Sequence, residues 1–288
     1  MKVLSLGAGV QSSALLFMYQ DLAFLRRLAR DSIIGKIVPN DLPITKEDFT
    51  QPDAAVFSDT GSEPKEVYDW LNFLTEKSKI PIFIAKKEGS TLFKEPDEHK
   101  FSTVPLFYIN KETGKKGIGR RFCTKLYKIE PVDTFIKRKI LKMKKYERMK
   151  DKKVVIAMGI SYDELGRMRE PQEKWKTHVY PLVEYGIKRK DCQAYLVEKL
   201  GKMPPRSACT FCPYKTDQEF KELKEKNPKD FQNAVEFDNK IRHLKPGIIQ
   251  YVHRSLKPLS EIDFDKVKQY DKQQSFTFSS ECEGMCGV

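Results

Sequence analysis

Histidine and cysteine are scarce in this chain, and long apolar runs are missing. It has four histidines and six cysteines in 288 residues. No histidine stands at zinc-finger spacing from a cysteine pair, which argues against a mixed histidine–cysteine zinc site. The cysteines are too sparse for a disulfide-stapled secreted fold. No run approaches membrane-spanning length, and nothing resembles a signal peptide. These absences predict a soluble, cytoplasmic protein with no membrane partner. No internal repeat is visible. Acidic residues are outnumbered, 40 against 53 lysines and arginines, for a net charge of +13. That imbalance suits a polyanionic partner, either nucleic acid or an anionic small substrate. A lysine-rich solvated surface would give the same number.

What is present is a chain long enough to bury a full core. Short apolar runs at Val3–Leu6, Ala54–Ser58, Ile80–Ala85 and Val154–Ile160 read as buried strands. Between them, Ser13–Ala29, Pro64–Lys77 and Lys128–Arg148 read as helices, with Ser62 placed to cap the second. Strand–helix alternation predicts an α/β fold, a mainly parallel sheet flanked by helices. Residues 31–52 read as an irregular insertion and 86–119 as loop. Beyond Gly201 the pattern changes to a small cysteine-containing segment with a charged helix near Asp217–Lys226. The expected division is a domain over 1–200 and a C-terminal segment over 201–288.

The most informative stretch is Ser5-Leu6-Gly7-Ala8-Gly9-Val10-Gln11-Ser12-Ser13. A strand enters it and a helix leaves it. Backbone N–H groups and the helix dipole at such a turn favour a phosphate. Asp59-Thr60-Gly61 falls at the end of another strand, where ligands of parallel sheets bind. Cys123 follows Arg120 and Arg121 at a possible helix start, a setting that favours thiolate. Cys209-x-x-Cys212 is the most specific signal. Two thiolates at this spacing clasp one zinc or part of an iron–sulfur cluster. The missing histidines favour the cluster, with Cys123 as the first candidate for a further ligand and Cys192 as the second. Cys282 and Cys286 sit in the last residues, where a mobile thiol can reach a bound substrate. The basic run Lys137–Lys153, with Arg242, Lys245 and Arg254 further on, reads as a solvated face or as a nucleic-acid surface.

Together these segments resemble the phosphoadenosine phosphosulfate (PAPS) reductase family, within the PP-loop ATP pyrophosphatase (adenine nucleotide alpha-hydrolase-like) superfamily. The resemblance runs in order over residues 3–214, with an echo at 281–287. It implies a Rossmann-like PP-loop domain. Ser5, Gly7, Ala8, Gly9, Gln11, Ser12 and Ser13 would hold the nucleotide phosphates, and Asp59, Thr60 and Gly61 would flank the adenosine. Glu66 and Tyr68 complete the family's D-T-G…E-x-Y element. Gln11 in place of the usual aspartate is similar to the reductase branch. The resemblance makes Cys123, Cys209 and Cys212 ligands of a 4Fe-4S cluster, and Cys282 the catalytic cysteine of the terminal motif.

Three departures stand out. Thr124 replaces a cluster cysteine, so that Cys192 substitutes or one iron stays open, as in tRNA-thiolating PP-loop enzymes. Ser161 and Tyr162 stand where reductases carry an anion-gripping arginine pair. Arg120, Arg121, Arg167 and Arg169 are then the candidates for anion binding. Glu283 and Cys286 alter the terminal motif. The function implied is thiol-dependent reduction of a sulfonucleotide (adenylyl sulfate or PAPS) with a thioredoxin-type reductant. The alternative is an ATP- and Mg²⁺-dependent sulfur transferase acting on tRNA, DNA or a base. A non-catalytic nucleic-acid-binding protein on the same scaffold is the third reading.

Overall fold

The structure is a computed structural model that describes residues 1–21, 50–96, 102–150 and 152–265. Cys282, Cys286, most of the 31–52 insertion and the far half of the Ser13–Ala29 helix lie outside the described residues.

Five parallel strands form the main sheet. They are β1 (Lys2–Leu6), β2 (Ala54–Asp59), β3 (Ile82–Lys86), β6 (Val154–Met158) and β7 (Lys176–Val179), in the order β3-β2-β1-β6-β7. The fold is thus α/β with a mainly parallel sheet, as the alternating pattern predicts. β1 and β2 are near-continuous apolar runs because a parallel sheet is covered on both faces. Side chains alternate between those faces. Leu4, Leu6, Ala55 and Phe57 enter one core with α1 (Val10–Met18), while Val3, Val56, Ile156 and Met158 enter the other with Val132, Ile136 and Trp175. α2 (Lys65–Lys77) contributes Val67, Trp70, Leu71 and Leu74 to the first core. From β1 the chain builds outward to β2 and β3, then returns to place β6 on the opposite side of β1. The strand order therefore reverses between β1 and β6, and parallel α/β sheets in general bind ligands beyond the carboxyl ends at such a reversal.

A second layer holds the antiparallel strands β4 (Phe107–Asn110), β5 (Lys116–Ile118) and β8 (Ile248–Tyr251), in the order β5-β4-β8. The helices Asp217–Lys226 and Pro228–Ile241 pack with it around an aromatic core. Phe211 and Phe237 stack there with ring centroids 3.7 Å apart. This core takes Leu92, Val104, Leu106 and Tyr127 from one side of residue 200, and Cys209, Phe220 and Phe264 from the other. It crosses the expected division of the chain.

Three local expectations are corrected. Residues 86–119 are not all loop: β4 and β5 lie there, held by pairing with the distant β8, which local pattern does not announce. The helix expected over Lys128–Arg148 ends at Ile140. Lys142 takes a left-handed φ of 52° and Met143 donates back to the carbonyl of Lys137, a turn that closes the helix. Ser62 does not cap α2, which begins after Pro64. The Ser62 hydroxyl is buried without a hydrogen-bond partner among the described residues.

Candidate active site

The turn Gly7–Gly9 leaves β1 at the switch point. Ala8 sits at φ 56°, a conformation that costs a non-glycine residue free energy and persists only where its surroundings enforce it. Gly7 donates its N–H to the Ser12 hydroxyl at 3.2 Å, which folds the turn onto the first turn of α1. The Ser13 hydroxyl accepts from the Trp70 indole at 3.0 Å. Gly159, just after β6, lies so close that an added Cβ would stand 2.7 Å from the Ser12 backbone. Only glycine lets the β6 loop lie on the start of α1.

That loop covers the turn. The Gln11 side-chain amide donates to Glu164 Oε2 at 3.1 Å and to the Ser161 hydroxyl at 3.4 Å, while Arg189 donates to Gln11 Oε1 at 2.9 Å. Arg167 forms an ion pair with Glu164. The first turn of α1 carries no acidic residue of its own, so Glu164 supplies a carboxylate beside the positive end of its dipole.

At the end of β2, Asp59 is an anchor. Its Oδ1 accepts from the Gly61 N–H and the Tyr68 hydroxyl, each at 2.7 Å, and its Oδ2 pairs with Lys86 at 2.6 Å. Burial first, and then the Asp59 carboxylate, push the Tyr68 pKa up, so the phenol stays a donor. Gly61 takes φ +70°, and a Cβ there would stand 2.7 Å from Thr91 Cγ2.

Next to this turn is a small cavity lined by Cys123, Cys209 and Cys212, with Arg121, Lys128, Phe211 and Tyr214 also on its wall. It measures about 20 Å³, room for one water. Thr60 joins the two sites. Its hydroxyl donates to Glu63 Oε1 at 3.0 Å and lies 3.4 Å from Cys209 Sγ. Thr210 donates its N–H to the Ser62 carbonyl at 2.9 Å. Glu63 is the hub. Its buried Oε1 also lies 3.8 Å from Cys209 Sγ and 3.7 Å from Lys128 Nζ. Its Oε2 is buried without a hydrogen-bond partner among the described residues. Lys215, three residues after Cys212, is buried, and desolvation pushes its pKa down.

The donor set suits a metal cluster in kind: a C-x-x-C pair and a third thiol on the same wall. The thiols share a wall without sharing a centre, since among the described residues no three His, Cys, Asp or Glu side chains converge enough to hold a metal ion. Cys192 is not brought to them. It is fully buried in the first core, on the helix Arg189–Leu200, beside Tyr195 and Leu196. Thr124 is likewise fully buried.

The anion candidates separate. Arg121 lies over the Tyr214 ring at the cysteine cavity, Arg120 is exposed beyond β5, and Arg167 alone reaches the β1 turn through Glu164. Arg169 bonds the carbonyls of Gly166 and Met168. Glu63, Glu164, Arg189 and Lys215 were not foreseen as site residues. Glu63 and Lys215 carried only the weak signal of lying within three residues of Gly61 and Cys212.

No family model matches the chain, and no curated protein matches it. No described helix is long and apolar enough to cross a membrane.

Proposed function

We propose that the protein is a PAPS reductase-like PP-loop enzyme that binds an adenine nucleotide and performs sulfur chemistry on it. The observation that carries this reading is the contact between Thr60 of the D-T-G turn and Cys209 of the C-x-x-C pair. With the glycine turn after the neighbouring strand β1, it brings the Gly7–Gly9 turn, the Asp59–Gly61 turn and three thiols to the same end of the sheet, which supports reading them as one nucleotide and sulfur site.

In the reductase reading, the Gly7–Gly9 turn and the α1 dipole hold the phosphates. Asp59, locked by Tyr68 and Lys86, fixes the backbone of Thr60 and Gly61 for the adenosine. Cys282 Sγ attacks the sulfur of adenylyl sulfate or PAPS. The S–O bond breaks, adenosine phosphate leaves, and the S-sulfocysteine is cleaved by a second thiol with release of sulfite. Cys123, Cys209 and Cys212 would hold an iron–sulfur cluster, which would tune the electrostatics of the site, and the cations near the anionic substrate would be Lys128 and Lys215.

A second reading is favoured by the three-thiol wall and by Cys192 lying elsewhere. It is an ATP-dependent sulfur transferase that adenylylates an oxygen of a tRNA, DNA or base, with Mg²⁺ on the phosphates. The nucleic-acid-binding reading loses part of its motive. Arg242 pairs with the buried Asp238, and Arg254 pairs with Asp217.

Anaerobic purification with iron and acid-labile sulfide assays, followed by a binding panel of ATP, adenylyl sulfate and PAPS, tests the reading. Iron and sulfide together with nucleotide binding are expected. Sulfite release from adenylyl sulfate with a thiol selects the reductase, and pyrophosphate release from ATP that requires added tRNA or DNA selects the transferase. A zinc-containing, iron-free protein that binds none of the three nucleotides would overturn both.

A further inference from the structure

The loop after β6 brings a carboxylate to the glycine turn. Glu164 lies in the 3-10 turn Tyr162–Arg167 and breaks its regular geometry, with φ −119° and ψ 25°. Its side chain is 15% exposed, and that of Arg167 is 12% exposed. The carboxylate is held by the Gln11 amide and by the Arg167 guanidinium. Gln11 is itself fully buried and is gripped from the other side by Arg189. Asp163 accepts the backbone N–H of Arg189 at 2.9 Å, which ties the start of its helix to the same loop.

A carboxylate oxygen between an amide N–H and a guanidinium, over the first turn of a helix, has the partners that a phosphate or sulfate oxygen would choose. Arg167 and Arg189 converge there from two elements, although Ser161 and Tyr162 contribute no cation.

We propose that Glu164 is a displaceable internal anion. In the ligand-free protein its carboxylate fills the place between Gln11 and Arg167. A terminal phosphate or sulfate group of the bound nucleotide takes that place, and Arg167 and Arg189 then hold the incoming group. The exchange of one anion for another leaves the Arg167 guanidinium compensated before and after, with Arg189 placed beside it by its bond to Gln11. It also lowers the affinity for weakly charged ligands, because each must displace Glu164. This inference rests on the reading of the β1 turn as an anion cradle.

Calorimetric titration of the full chain with inorganic pyrophosphate, ATP and adenosine tests it in wild type, Glu164→Gln and Arg189→Gln. Removing the competing charge should tighten pyrophosphate and ATP roughly tenfold in Glu164→Gln, the factor expected for one charge-assisted contact, and leave adenosine unchanged. Arg189→Gln should weaken pyrophosphate and ATP by a similar factor. Glu164→Ser removes the same charge with a smaller side chain and should show the same gain, so a folding failure in one variant leaves the other to decide. Equal or weaker pyrophosphate binding in both Glu164 variants overturns the proposal. If pyrophosphate tightens but adenosine fails to bind and ATP binds no better than pyrophosphate, the internal anion stands and the adenine-nucleotide reading falls. If pyrophosphate and ATP bind, ATP the tighter, but with the same affinity in wild type and both Glu164 variants, the nucleotide reading stands and the internal anion falls.

Discussion

The turn after β1 takes its whole backbone from one short stretch, Ser5 to Ser13, whereas the cysteine cavity joins residues from near 92, 104–105, 121–128 and 209–214. The first is held by bonds its own residues make, such as Gly7 to Ser12, with Gly159 and Trp70 closing it from outside. The second forms where the second core draws both halves of the chain together. Local strain shapes the turn, at Ala8. Buried charge shapes the cavity, at Glu63 and Lys128. A site of the first kind is damaged by steric change, and one of the second kind by removing a partner.

Replacing a candidate ligand separates the regions most sharply. Cys209→Ser should abolish cluster iron and sulfide, whereas Cys192→Ser should leave both near wild-type levels and lower the denaturation midpoint. Equal iron loss in the two variants would restore Cys192 as a ligand. The next largest effect is expected at the charge hub. Lys128→Met leaves the buried Glu63 carboxylate without that cation and should cost about 3–5 kcal/mol in urea unfolding. The double variant Lys128→Met/Glu63→Gln should recover most of that loss. If it does not, charge compensation is not what shapes the cavity.

The turn is tested by Gly159→Ala. Its Cβ would press on the Ser12 backbone, so stability should fall by about 1–3 kcal/mol, with nucleotide affinity falling as the turn shifts. A variant that loses stability but keeps affinity would detach the turn from the β6 loop. Trp70→Phe removes one buried hydrogen bond to Ser13 and should cost about 1 kcal/mol.

The smallest effect expected is a pH dependence centred in the second core. Burial pushes the His253 pKa below the ordinary 6.5, even though its ring bonds Asp217, which Arg254 also holds. A depressed value favours the neutral ring in the folded state. Its stabilisation is present above about pH 6.5 and is lost as pH falls through the folded value. Asp238 and Asp133, raised by burial, act with the opposite sign, in the carboxylate range. His253→Gln should flatten the decline of melting temperature below pH 6.5; an unchanged slope would assign it to other groups.

Sequence by itself determined the parallel sheet, since Val3–Leu6, Ala54–Ser58 and Val154–Ile160 are apolar runs that only a doubly covered sheet can bury. It also determined the strand–turn–helix at Gly7–Gly9 and the charged helix Asp217–Lys226, because glycine turns and helix caps are written in adjacent residues. Tertiary structure alone decided which cysteines share a wall. Cys192 has the same chemistry as Cys209, but it lies on a helix packed against α1, and no local pattern distinguishes a core thiol from a ligand. The roles of Glu63 and Glu164 likewise depend on pairings across the fold. A carboxylate's neighbours are set by packing between elements far apart in the chain, which periodicity and spacing do not encode.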